Sequence, residues 1–499
     1  MKTTSMIARG VTPMLAALLL SACAAPEFTQ PAVATPASFR ESQAPRAEDV
    51  QAAADGTRWK PVRPAEQQER GQWWKAFVDA ELDALIAQAA AGNQNLSVAA
   101  ARVKQARALA GVAEAARSPQ LGVNAGAERR RLSPLEARLP AGSPLAPGNG
   151  YQARLSASYE ADLFGRVSSD VAATRSDAGA TVAAYRSVLL ALQADVAQTW
   201  FRLRSLDAEL ATVERTVSLR EETARVTGHR FELGDVSELD LMRARTALAT
   251  ARAEAIGVQR QRANAEHVLA VLLGHPAAVF SVPASPLSED DRLPVIPAGL
   301  PSSLLERRPD IAAAQRRMEA ANARIGVARA AMFPVLNLSA AAGTVVGADG
   351  DLFKWSTRSW LLGAALAAPL IDGGRNRANV QRSEAALEES VAAYRQNVLT
   401  AFAEVEDNLA GLRILAGQSA QNEEAMVSAR RSADLARKSY DAGRSGYLEL
   451  LDAQRTLAVV ERNAVQLRGE RAITTVALIR ALGGGWDAPQ KDDKAQASN

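Results

Sequence analysis

The chain has 499 residues, 47% of them hydrophobic but only 5% aromatic. Alanine supplies much of the apolar fraction, and alanine favours long, closely packed helices over a bulky core. The formal charge is +3, and basic residues are interleaved with acids along helical segments, which argues against nucleic acid as a partner.

Residues 1–22 read as a targeting segment, with Lys2 and Arg9 as its positive region and Val11 to Leu20 as its apolar stretch. It ends Leu20-Ser21-Ala22-Cys23, and Cys23 is the one cysteine of the chain. A small-residue pair before a cysteine resembles a bacterial lipoprotein cleavage box, in which the thiol is acylated; an ordinary signal peptide with a chance cysteine is the plainer alternative. Ala24 stands where aspartate would mark inner-membrane retention, which resembles the outer-membrane sorting rule. A lone cysteine excludes a disulfide framework and most thiolate metal sites. Residues 23–71, rich in proline, alanine and charge, are expected to run as an extended segment from the lipid anchor. No later stretch approaches 18 consecutive apolar residues, so a membrane crossing would have to be a β-barrel.

The rest of the chain is duplicated. Val182-Ala183-Ala184-Tyr185-Arg186 recurs as Val391-Ala392-Ala393-Tyr394-Arg395, displaced by 209 residues, and the same displacement pairs Gly234 with Gly443 and Leu239 with Leu448. Earlier in each half the displacement is 215, pairing Pro119-x-Leu121 with Pro334-x-Leu336. The repeats span 72–274 and 302–486, with a proline-rich linker over 275–301 and a polar tail over 487–499 expected to be disordered.

Each repeat reads helix, strand pair, long helix, helix. Asn95 and Asp310 are placed at equivalent helix starts, where a short side-chain oxygen caps exposed amides. Alternation after Pro119 and Pro334 predicts strand pairs within 119–163 and 334–370, with partner strands over Tyr151 to Leu163 and Trp360 to Leu370. In the first partner strand, Ala153, Leu155, Ala157 and Tyr159 alternate with Gln152, Arg154, Ser156 and Ser158, as lipid on one side and a watery lumen on the other require. From Gly165 to Gly234, and again from Gly374 to Gly443, 69 residues pass without proline, on the order of 100 Å of helix. A stripe from Val182 to Val217 steps by three and four, the period of a coiled coil. Shorter helices return after each glycine turn, giving four helical columns per chain.

No catalytic constellation emerges: His229, His267 and His275 lack metal-ligand spacing, and no nucleophile stands beside a base. The chain therefore reads as neither an enzyme nor a cofactor or metal protein. Four strands cannot close a barrel of about eight or more, and open edges cannot face lipid, so copies must share one. Two copies or three would satisfy that count. A coiled-coil adhesin shares the heptads and export signal, but would carry one terminal barrel segment rather than two internal strand pairs.

Gln72-Trp73-Trp74-Lys75-Ala76-Phe77, Leu305-Glu306-Arg307-Arg308-Pro309-Asp310-Ile311, Tyr447-Leu448-Glu449-Leu450-Leu451-Asp452-Ala453-Gln454-Arg455 and Ala481-Leu482-Gly483-Gly484-Gly485-Trp486 resemble the outer-membrane factors of tripartite efflux pumps, the TolC/OprM group and its lipidated NodT-type members. The resemblance implies a mainly α fold with a small β part: duplicated helical hairpins forming a periplasmic tunnel, and four strands per chain in a trimeric 12-stranded outer-membrane barrel. It implies a homotrimer in outer-membrane lipid, a periplasmic adaptor and an inner-membrane RND-type pump as partners, and passive export of small toxic compounds, with TolC-like protein secretion as the alternative. It also places a periplasmic gate at Glu449, Asp452, Asp240 and Tyr440. Ser445 departs from the latch arginine of TolC, and Glu449 from its aspartate. The turns at Gly234-Asp235 and Gly443-Arg444-Ser445-Gly446 become candidate adaptor contacts, although hairpin geometry alone accounts for their glycines, and dipole pairing alone for acids in a first helical turn.

Overall fold

The computed structural model describes residues 28–29, 31, 35–36, 38–41, 71–288, 293–294, 296, 304–305, 307–347 and 354–484. Cys23, the leader and the polar tail lie outside the described residues. The chain divides into two compact units that cut across the duplication: Met1–Ala32, Arg102–Thr181 and Ala313–Tyr394 form one, and Val33–Ala101, Val182–Ala312 and Arg395–Asn499 the other. Each repeat thus gives its middle to the first unit and its ends to the second.

The first unit contains an antiparallel sheet of β1 (Gln120–Arg130), β2 (Gly148–Ala161), β3 (Val335–Gly347) and β4 (Arg358–Ala367), in chain order. β2 starts before Tyr151 because Gly148 and Asn149 still pair with Arg130 and Arg129. It stops at Ala161 rather than Leu163 because the Asp162 carboxylate turns away to accept from the Val167 and Ser168 amides. β4 is shifted likewise: it pairs from Arg358 opposite Thr344 and ends before Pro369, which cannot donate to a ladder.

Cross-strand partners share a face. One face joins Leu121, Val123 and Ala125 to Ala157, Leu155 and Ala153, then to Ala340, Ala342 and Thr344, then to Leu362, Trp360 and Arg358. On the other face Asn124 Nδ2 donates to Ser156 Oγ at 2.9 Å. There Gly343 lies against Arg154, and a Cβ would meet Arg154 Cγ at 2.8 Å and the Ala153 carbonyl oxygen at 2.2 Å. The apolar face is therefore continuous across the sheet, whereas the other face loses its polarity toward β4, where Leu361 and Ala365 stand beside Ser359 and Gly363.

The helices are α1 (Ala80–Gly92), α2 (Gln94–Ala115), α3 (Arg166–Glu232), α4 (Glu238–Leu273), α5 (Pro309–Ala330), α6 (Arg375–Asp441) and α7 (Tyr447–Ala481). None is long and apolar enough to cross a membrane among the described residues. Two expected caps move. Asn93, not Asn95, caps α2 by accepting from Leu96 N–H at 2.9 Å, and its own amide closes α1 on Ala89, so one residue serves both helices. At α5 the first helical position goes to Pro309, whose missing N–H costs nothing there, and Asp310 instead takes a charge-paired contact with Arg308 at 2.7 Å.

The core of the second unit surrounds the middle of α3. Trp200, Phe201, Leu203, Val196 and Ala197 are buried there with Leu82, Ile86, Leu269, Leu273 and Val476. Burial is nearly all round α3 at this level, so the stripe predicted as a coiled-coil face is here the axis of a wider core. Segment 280–287, expected as linker, is strapped to it: Asp207 accepts from Arg262 Nε at 2.6 Å and from the Ser285 amide at 2.9 Å, and Leu287 N–H donates to the Arg204 carbonyl. Nearby, Phe39 is buried with Leu304, Val405 and Leu478, while the Arg40 and Glu41 amides donate to Glu406.

Candidate functional site

The hairpin tips lie within the second unit, and the duplication is visible in their hydrogen bonds. The Asp235 amide donates to the Arg230 carbonyl and that of Gly234 to Phe231, and 209 residues on Arg444 donates to Ser439 and Gly443 to Tyr440. Each is a Schellman turn, and Gly234 and Gly443 hold φ of +80° and +69°, where a Cβ would be strained. Gly234, Asp235, Gly443, Arg444 and Gly446 are exposed, and Ser445 is half-buried.

The gate acids of the sequence reading sit at matched positions in the first turns of α4 and α7, but their carboxylates are engaged locally. Asp240 accepts from Ser237 Oγ at 2.8 Å and from Arg243 at 3.3 Å. Glu449 reaches back to accept from the Gly446 amide at 2.9 Å, the half of a capping box made from the third helical position, while Gly446 has no side chain for the other half. Asp452 lies one turn further on and is exposed. Glu449 and Asp452 share an open groove of about 900 Å³ with Ser445, Arg431, Leu435 and Thr456.

Tyr440 is brought to a different neighbourhood. It is buried with Tyr447, Ala244 and Leu450; its ring meets Tyr447 edge to face at 6.0 Å, and the Arg230 guanidinium lies over it at 5.3 Å. The Tyr440 and Tyr447 hydroxyls, with those of Thr227 and Ser445, are buried without a hydrogen-bond partner among the described residues. Each such group costs about 1–3 kcal/mol.

One turn deeper, buried Arg220 donates to Gln454 Oε1 at 2.8 Å. Burial pulls its guanidinium below its ordinary pKa, with Tyr447 opposing and Arg455 reinforcing. Burial likewise raises the Tyr447 hydroxyl, against the pull of Arg220. Sequence reasoning missed Arg220, Thr227 and the role of Tyr447. A signal existed, because Arg220 and Thr227 continue the three-and-four stripe beyond Val217, and a charged residue in such a stripe marks a polar interruption of the coil.

A four-stranded sheet with unpaired edges and one apolar face, threaded between long helical hairpins, defines a subunit of an outer-membrane duct. The family model described as "Outer membrane efflux protein" matches residues 85–275 and 300–484. Outer membrane protein OprJ of Pseudomonas aeruginosa is 36% identical over 480 residues, covering 96% of each chain. Cation efflux system protein CusC of Escherichia coli is 32% identical over 478 residues, covering 95% of this chain and 98% of that one. The structure of the outer-membrane channel OprN superposes with a TM-score of 0.82 at 28% identity, covering 93% of this chain and 99% of that one. The chain belongs to the outer membrane efflux protein family, and it is an outer-membrane channel component of an efflux system.

Proposed function

We propose that three copies close a 12-stranded barrel and form a passive, non-catalytic exit duct for small toxic compounds. Acylated Cys23 anchors it, a periplasmic adaptor meets the turns at Gly234-Asp235 and Gly443-Arg444-Ser445-Gly446, and an RND-type inner-membrane pump feeds it. The observation that carries this reading is the sheet: β1 and β4 each leave one edge unpaired beside an apolar face, and in lipid such edges must be completed by another copy.

Control resides at the tips. Threefold copies of Glu449 and Asp452 converge on the entrance as an anionic ring that narrows it and favours cations, while Asp240 and the Tyr440 cluster set how the two hairpins of one chain hold together. Because Glu449 also caps α7, the informative variant is E449Q/D452N, which removes charge while a side-chain oxygen remains for the cap. In planar bilayers this variant should conduct more and lose cation preference. Unchanged conductance and selectivity would refute the ring.

A further inference from the structure

The apolar face of the sheet ends differently at its two extremities. Among its described strand residues, only Arg129 on β1 and Arg358 on β4 are charged, and both stand at the hairpin end, away from the helical connections. At the other end the face finishes in Leu121, Ala161, Leu336 and Leu366, and just beyond, Phe164 stacks on Phe333 at 5.0 Å. Among the described residues, the acids of the hairpin end do not neutralise the pair: Glu128 and Glu136 are held by Arg130, on the opposite face, at 3.3 and 3.6 Å. Arg129 and Arg358 have no carboxylate partner among the described residues. The Arg358 guanidinium instead lies 4.3 Å from the centre of the Trp355 ring.

Along the ladder Arg358 stands level with Ala125, four rows from Arg129, and the tilt of a closed barrel would bring the two to one height. Arg358 pairs with Thr344, which pairs with Ala153, which pairs with Ala125, so β4 ends five rows short of the Arg130 end of β1 when followed along the ladder. A barrel whose strands tilt by about 35–45° needs this stagger, because a level rim crosses successive strands at progressively earlier rows. On β3 the face runs from Leu336 to Val346, about 34 Å of strand at roughly 3.4 Å per residue, or about 26 Å of membrane normal at that tilt. That is about the height of an outer-membrane apolar band, so the two cations fall at its boundary with the headgroups. In the closed barrel of the preceding reading, on which this step rests, the free edge of β4 meets β1 of the next copy. Each of the three seams then brings Arg358 alongside Arg129 of the partner subunit.

We propose that each seam binds a phosphate of a phosphorylated glycolipid of the outer leaflet, held between Arg129 and Arg358. A guanidinium fork matches phosphate bidentately, stacking on Trp355 fixes one fork in advance, and the cations mark only the end of the sheet that faces the outer leaflet. A merely snorkelling arginine reaches water regardless of headgroup chemistry; a phosphate site discriminates.

The test is native mass spectrometry of the solubilised full-length assembly, titrated with bis-phosphorylated lipid A and with its dephosphorylated form. The trimer should retain up to three phosphorylated lipids and hold the dephosphorylated form at least tenfold more weakly. R129Q/R358Q should lower binding of the phosphorylated lipid to that weaker level, with the trimer mass and bilayer conductance intact. Equal retention of both lipids by the unmodified protein overturns the proposal whether or not the variant assembles, and so does undiminished binding by an assembled variant. The same spectra report the oligomer directly, so a failed trimer reading is distinguishable from a failed lipid site.

Discussion

The middle of the hairpins and their tips treat buried polarity differently. At the middle, Asp207 is 5% exposed, yet both its oxygens are used, by Arg262 Nε and the Ser285 amide. Arg262 in turn reaches Glu266 and the Val282 carbonyl, and Asp79 takes the Trp200 indole at 2.8 Å while capping α1. At the tip, four hydroxyls go unpartnered among the described residues around a small cluster of tyrosine, leucine and alanine, against one oxygen, Asp83 Oδ1, on the α1 helix that packs into the middle. Fully satisfied networks specify one arrangement, and partly satisfied ones leave room for a second. The contrast places rigidity at the middle of the hairpins and adjustability where a gate would act.

The largest expected effect breaks the middle. D207A leaves the Arg262 guanidinium and the Ser285 amide without their acceptor, and removing one member of a buried pair costs about 3–5 kcal/mol. Thermal unfolding of the assembly should fall accordingly, with loss of yield. A melting temperature within a degree or two of the parent would mean that the network adds nothing to the fold.

The tip should respond with the opposite sign. Y440F removes a buried hydroxyl that has no hydrogen-bond partner among the described residues while keeping the ring under Arg230 and against Tyr447. Stability should be unchanged or rise by about 1 kcal/mol, and spontaneous openings in bilayer recordings should change little. A destabilisation above about 1 kcal/mol would show that the hydroxyl is paired in the resting assembly and that the two regions do not differ as argued.

How much of this was legible in the sequence follows the range of the interactions. Strand alternation and the three-and-four stripe are local, and both strand pairs and long helices stand where they were expected, off by a few residues where Asp162 or Pro369 ends a ladder. Helix caps slipped because Asn93 and Asn95 carry the same chemistry two residues apart, and only the three-dimensional path selects Asn93. The strap over 280–287 was invisible: Asp207, Arg262 and Ser285 are far apart in sequence and each is unremarkable alone. At the tips, the glycine turns and first-turn acids were readable by position. The capping of α4 by Ser237 and of α7 by Glu449 follows from helix-start chemistry, whereas the burial of Arg220 beside Gln454 depends on a contact 234 residues away.

The smallest expected effect sharpens the comparison by pH. Burial raises the Tyr447 hydroxyl above its ordinary value near 10, with Arg220 pulling the other way. A group whose folded-state pKa is raised contributes stability that is fully present below its unfolded value and is lost as pH rises through the folded one. Tip ordering in the parent should therefore weaken only above about pH 10, where the neutral hydroxyl favoured by burial begins to ionise. Y447F should abolish that component while leaving the middle of α3 untouched. Spin labels at the exposed Asp235 and Arg444 would report it as a loss of order confined to the parent. An identical alkaline profile in both proteins would mean that the tip draws nothing from this hydroxyl, and that its adjustability resides in the unpartnered Tyr440 and Thr227 instead.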